Sequence, residues 1–182
     1  MNFNKLCIAL ISTFICLNSC SPSLTPLTKE IISENKWNEA ELKKIQFYIA
    51  KDLILTRRLS SGESNISGGK ILIKDGEKIE QVVIKNGTPG VLLFMPKEDR
   101  FAICFDKEST EKFLIFGPNP KVRSRFVLMG KEWDLRSGKV SYNGKVYDTS
   151  TESAFNSLLV NLKRAKNLDQ SLEVAKGRKI DD

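Results

Sequence analysis

Lys70-Ile71-Leu72-Ile73-Lys74-Asp75-Gly76-Glu77-Lys78-Ile79-Glu80-Gln81-Val82-Val83-Ile84 decides the fold class. Ile71 and Ile73 precede Asp75-Gly76, and Ile79, Val82, Val83 and Ile84 follow it. An Asp-Gly pair between two apolar runs signals a two-residue hairpin, because both central residues must adopt positive φ. The pattern repeats at Val140-Ser141-Tyr142, Asn143-Gly144 and Lys145-Val146-Tyr147. Between the two hairpins lie more strand-length apolar runs: Val91–Met95 ended by Pro96, Phe101–Phe105, Phe113–Phe116 and Phe126–Met129. Asn86–Gly90 and Gly117-Pro118-Asn119-Pro120 read as breaks. Short strands every 8–12 residues predict an antiparallel sandwich or small barrel.

Towards the N-terminus, Leu53, Leu55 and Arg57 alternate with Ile54, Thr56 and Arg58, a strand. Ile45, Phe47 and Ile49 fit period two, while Ile45 and Ile49 also fit a helical period, so that piece stays open. Trp37 to Lys44 opens as a short helix with Glu39 and Glu41 in its first turn. Towards the C-terminus, Thr149-Ser150-Thr151-Glu152 fits a capping box. Phe155, Leu158, Leu159 and Leu162 then form a stripe at helical spacing, followed by Lys163, Arg164 and Lys166. The expected class is therefore α+β, mostly antiparallel β (small barrel or sandwich), with a C-terminal amphipathic helix packed on it.

The first twenty residues are an address rather than part of the fold. Met1–Lys5 carries one positive charge. Leu6 to Leu17 is apolar but for Ser12 and Thr13, shorter than the roughly 20 residues that a spanning helix needs. It ends in Leu17-Asn18-Ser19-Cys20. This N-terminus resembles a bacterial lipoprotein signal peptide with its lipobox, an aliphatic residue at −3, a small one at −1 and Cys at +1; Asn18 departs from the usual choice at −2. The resemblance implies that Cys20 becomes the mature N-terminus, carrying a diacylglycerol thioether and an N-acyl chain of palmitate type. Each buried methylene contributes about 0.8 kcal/mol, so two or three chains anchor a protein stably to a membrane. Surface-sorted lipoproteins of some bacteria carry acidic residues after the Cys. Here Ser21-Pro22-Ser23-Leu24 has none, and no Asp follows Cys20 to signal inner-membrane retention. The expected place is the outer membrane, facing the periplasm.

The chain then divides into a signal peptide (1–19), a lipidated Cys with a tether (20–36), one globular domain (37–166) and a polar tail (167–182). A sixteen-residue tether would reach about 50 Å at most. Cys104 is the one thiol left in the mature chain. It sits in the apolar Phe101-Ala102-Ile103-Cys104-Phe105 and reads as a small buried hydrophobe.

The 182 residues contain no histidine. That excludes Ser-His-Asp and Cys-His triads, histidine-ligated zinc and histidine general bases. Three Ser-x-x-Lys tetrads occur (Ser33/Lys36, Ser67/Lys70, Ser109/Lys112), but no Lys-Thr-Gly or Ser-Asp-Asn box accompanies them. Gly68-Gly69 precedes a strand, not a phosphate-binding helix. Asp75-Gly76-Glu77 lacks the spaced ligands of a calcium loop. No cofactor or metal is expected.

With 29 Lys and Arg against 22 Asp and Glu, the net charge is +7. Lys121, Arg123 and Arg125 follow the Gly117–Pro120 loop, and if the segment is extended they share one face. Such a patch suits anionic headgroups, a wall polymer or an acidic partner; for an exported lipoprotein, nucleic acid is not the expected partner. Together these features predict a lipid-anchored periplasmic binding or accessory protein of the cell envelope, without enzymatic activity. The alternative is an envelope enzyme acting on a carbohydrate or wall polymer through paired carboxylates, which needs two acids converging in a concave pocket.

Overall fold

The computed structural model describes residues 23–63, 66 and 68–172, with side chains to residue 167. Cys20 and the end of the polar tail lie outside the described residues. Thirteen strands form two antiparallel sheets. The first joins β1 (Thr25–Pro26), β13 (Leu158–Val160), β2 (Phe47–Ile49), β6 (Pro89–Lys97), β7 (Arg100–Cys104), β8 (Phe113–Asn119) and β9 (Arg125–Leu128), in that order. The second joins β10 (Glu132–Trp133), β11 (Ser137–Tyr142), β12 (Lys145–Ser150), β3 (Leu53–Arg58), β5 (Glu77–Ile84) and β4 (Lys70–Lys74). Helices α1 (Lys29–Glu34), α2 (Glu39–Leu42) and α3 (Leu162–Leu172) lie at the chain's two ends.

Both hairpins form where the turn chemistry puts them. Asp75 and Gly76 have φ of 52° and 79°, Asn143 and Gly144 of 50° and 69°. These are the left-handed conformations that Asp, Asn and Gly tolerate best. Residues then alternate in and out along β3, β11 and β12. Leu53, Leu55, Val82, Ile84, Val140 and Tyr147 of the second sheet share one core with Phe47, Ile49, Phe101, Ile103, Leu114 and Phe116 of the first. Two sheets facing each other across one core make the architecture sandwich-like. The first sheet curls until its ends meet through single bridges, Thr28 to Arg125 and Ser157 to Val127, but no ladder closes it. Cys104 is buried, with its Sγ donating to the carbonyls of Asp106 and Ser109.

The ambiguous 45–50 piece is a strand, and α2 starts at a capping box between Asn38 and Glu41. Gly117 to Asn119 extend β8 rather than form a loop. Pro96 does not end β6, because the strand is irregular on its β7 side from Leu92 to Lys97 and a missing amide is tolerated there.

Two larger expectations need correction. The C-terminal helix does not begin at the Thr149–Glu152 box. Thr149 and Ser150 end β12, Thr151–Phe155 is a 3-10 turn, and Leu158–Val160 is strand β13 between β1 and β2. The cause is tertiary. Buried Asn156 accepts the Lys51 amide at 3.1 Å and donates to the Lys51 carbonyl at 2.8 Å, bonds that no helix offers. The buried hydroxyls of Thr149 and Ser153 bond each other at 2.8 Å instead of capping a helix. The expected stripe therefore splits, with Phe155 exposed and Leu158 buried. The helix proper starts at Leu162 and packs through Leu162 and Ala165. It also runs on into the expected polar tail, as far as Leu172.

The stretch 20–36, expected as a tether, is structured in its described part. From Thr25 the chain belongs to the domain. Thr25 and Pro26 pair with Val160 and Leu159, Leu27 is fully buried, and α1 packs Ile31 and Ile32 on the core. The Ser/Pro/Thr-rich composition conceals Leu27, which directly follows the two-residue strand and is fully buried.

Candidate functional site

Three places bear on function. The first is the basic segment. Pro120–Val122 forms a 3-10 turn, capped by the Asn119 side chain, which accepts the Lys121 amide at 2.9 Å. Arg123 and Ser124 then take positive φ, 56° and 52°. Two left-handed non-glycine residues in a row are costly, roughly 1–3 kcal/mol each, and reverse the chain into β9. The segment is not extended, so the condition under which Lys121, Arg123 and Arg125 would share one face is not met: Lys121 sits in the turn, Arg123 in the reversal and Arg125 at the first position of the strand. They remain together on one loop, with Lys121 and Arg123 exposed. None of the three is ion-paired among the described residues.

What the sequence did not reveal is the loop's neighbour. Arg125 bridges to Thr28, and the Phe126 amide donates to the Leu27 carbonyl at 2.9 Å. Lys29 follows directly. The basic loop therefore lies beside the point where the N-terminal segment joins the domain. Asn119-Pro120, a good N-cap followed by a residue suited to a first helical position, was the available signal for the turn.

The second place is a cleft of about 940 Å³ between the α1–α2 segment and the turn joining β6 to β7. Ile32, Trp37, Leu42, Met95, Phe101 and Phe126 form its apolar lining. Lys29 and Asp99 pair at 3.5 Å on its rim, and Asp99 also holds Arg100 at 2.9 Å. Glu39, another lining residue, pairs with Lys43 at 2.7 Å. Asp99 and Glu39 are thus tied to cations rather than to each other, and Glu98 is the third carboxylate of the lining.

The third place does bring two carboxylates together. Arg57 Nη1 donates to Glu63 Oε1 at 2.8 Å, and Nη2 donates to Glu80 Oε2 at 2.8 Å. Lys145 lies 3.4 Å from Glu63, and the Arg57 guanidinium lies 5.7 Å from the centre of the Tyr147 ring. Burial alone would lower the Arg57 pKa, but hydrogen bonds to Glu80, Glu63 and Tyr147 raise it above its ordinary value. Arg57 and the Ser60 amide hold the Glu63 carboxyl below the ordinary range. Glu63 is thus kept ionised, not poised as a proton donor. The arrangement pins the turn at residues 60–63 to the sheet.

No group of three Cys, Asp or Glu suited to hold a metal ion occurs among the described residues. No helix among them is long and apolar enough to cross a membrane. Comparison with protein families, curated proteins and solved structures yields no match for this chain.

Proposed function

We propose that this is a lipid-anchored binding or accessory protein of a bacterial cell envelope, held at the periplasmic face of the outer membrane with its basic loop against anionic headgroups. The observation that carries the reading is the bonding of Leu27 and Thr28 beside Arg125 and Phe126. Thr25 stands five positions after Cys20, so the anchored end reaches at most about 18 Å from the sheet. A tether that short keeps the domain close to the bilayer and limits its orientations. Lys121, Arg123 and Arg125 then lie at the end nearest the lipid, while Lys29 beside them is paired with Asp99. Basic groups beside an anchor each add about 1 kcal/mol of attraction to an anionic surface. An acyl anchor and a polybasic patch together form the two-signal pattern of stable peripheral attachment.

The test is metabolic labelling with an alkyne fatty acid, combined with membrane fractionation. The wild-type chain carries label and sediments with the outer membrane; Cys20→Ser loses the label and is mislocalised. Equal label on the Cys20→Ser chain overturns the proposal.

A further inference from the structure

Strand β4 is a palindrome, Lys70-Ile71-Leu72-Ile73-Lys74, and among the described residues it has a neighbour on one side only. It pairs with β5 without a register shift, from Lys70 opposite Gln81 to Lys74 opposite Glu77. All five residues are exposed, with Ile71 at 46%, Leu72 at 41% and Ile73 at 77%. Ile71 lies opposite Glu80 and so shares the core-facing side; Leu72 lies opposite Ile79 on the other side. The sheet thus overhangs its core at this end, with aliphatic side chains on both faces.

Proteins usually blunt an edge strand with charged side chains, lysine above all, or with proline, a bulge, short length or a covering segment. Among the described residues, the other sheet ends follow that rule. β1 and β10 are two residues long, and β9 is bridged to Thr28 and Ser157. Among the described residues, β4 carries only the lysine protection, Lys70 and Lys74, and neither is ion-paired.

Those lysines decide what the edge can accept. An antiparallel second copy that stacks aliphatic on aliphatic must centre on Leu72. It then sets Lys70 opposite Lys74 of the other copy at both ends, and like charges directly opposite destabilise a pair. A parallel copy in register sets each lysine beside its own equivalent. The same geometry favours a strand with carboxylates at both ends. Lys78, opposite Ile73, lies on the other face of the sheet, and Glu77 lies opposite Lys74.

We propose that β4 is a docking edge for an extended segment of a partner protein, one in which aliphatic residues are bracketed by carboxylates four positions apart. The partner adds a strand to the six-stranded sheet. Its backbone supplies the ladder, and Lys70 and Lys74 select its ends. This inference does not depend on the lipid anchor.

The test uses the full chain in detergent micelles, with empty micelles as blank. Fluorescence anisotropy is read for a labelled synthetic peptide of alternating valine and threonine with a glutamate at each end, and for its twin with lysines. The acidic peptide binds about tenfold more tightly. The double change Lys70→Glu/Lys74→Glu, at two exposed positions, reverses that order. N-methylation of alternate peptide amides abolishes binding. Lys74→Glu alone sets Lys70 of one copy opposite the new carboxylate of the other at both ends, so this variant dimerises in sedimentation while wild type does not. Equal binding of the two peptides, binding of neither, an unreversed preference, an N-methylated peptide that still binds, or a monomeric Lys74→Glu variant each overturns the proposal.

Discussion

Arg57 and Glu80 face each other across β3 and β5, with a guanidinium nitrogen 2.8 Å from a carboxylate that is completely enclosed. Removing one partner of such a pair leaves the other poorly compensated. Glu80→Gln is expected to cost about 3 kcal/mol, at the low end of the range for a broken buried pair because Arg57 keeps Glu63. Arg57→Met combined with Glu80→Leu is expected to recover most of that loss. Urea melts of both variants check it. An unchanged midpoint for Glu80→Gln would show that the pair contributes nothing to stability.

Acid should unfold the protein through a defined set of carboxylates. Asp52 is held low by the Asn86 amide and Lys85, Glu63 by Arg57 and the Ser60 amide. Asp106 is held low by Lys112 and the Glu108 and Ser109 amides, Asp134 by the Arg136 and Ser137 amides. A carboxylate whose native pKa is depressed stabilises the fold fully above its unfolded value. That stabilisation is lost as pH falls through the lower native value. Stability is therefore expected to be flat above about pH 5 and to fall steadily below about pH 4. Thermal melts across that range read it, and a decline that began near neutral pH would contradict it.

The basic loop offers a separable effect. In a Cys20→Ser chain, replacing Lys121, Arg123 and Arg125 together with Glu is expected to weaken association with anionic vesicles while shifting the thermal midpoint little. Lys121 and Arg123 are exposed and none of the three is ion-paired among the described residues, so their folding contribution is small. Raising salt should weaken wild-type association as well, because screening shortens to about 3 Å at 1 M. Co-sedimentation with phosphatidylglycerol vesicles measures both. Salt-independent association would argue against a headgroup contact.

Strand β13 can be told from a helix by two substitutions. Leu158 is fully buried and Phe155 half exposed. Leu158→Ala is expected to cost roughly 2–5 kcal/mol. Phe155→Ala should cost clearly less, because a half-exposed ring leaves little cavity behind. A helix carrying the original stripe would make the two losses comparable.

The hairpins were legible because their cause is local. Asp75-Gly76 and Asn143-Gly144 carry the conformation in their own backbones, and alternation does the rest. Residues 149–162 were not legible, because a partner about a hundred residues away decides them. Lys51 satisfies Asn156, and the backbone follows that bond rather than its own helical pattern. The N-terminal boundary fell between these extremes. Thr28 caps α1 by accepting the Ile31 amide, and Thr28 before Glu30-Ile31-Ile32 was a helix-start signal outweighed by the loose composition around it. The basic residues were legible as a cluster. Their neighbour, Leu27–Thr28, was not, since no local pattern encodes which segment closes beside β9.

Leu27 also fixes how the fold meets force. Its amide donates to Leu158 at 2.8 Å, its carbonyl accepts from Phe126 at 2.9 Å, and its side chain is sealed in the core. Tension on the N-terminal end reaches this residue after only the two-residue β1, and there it meets two strands at once. The load enters at the seam where the two ends of the curled sheet touch. A molecule pulled through that end should yield first by opening the seam, leaving the six-stranded sheet for a later event. In an optical trap that sequence would read as two ruptures, the first of which Leu27→Ala weakens.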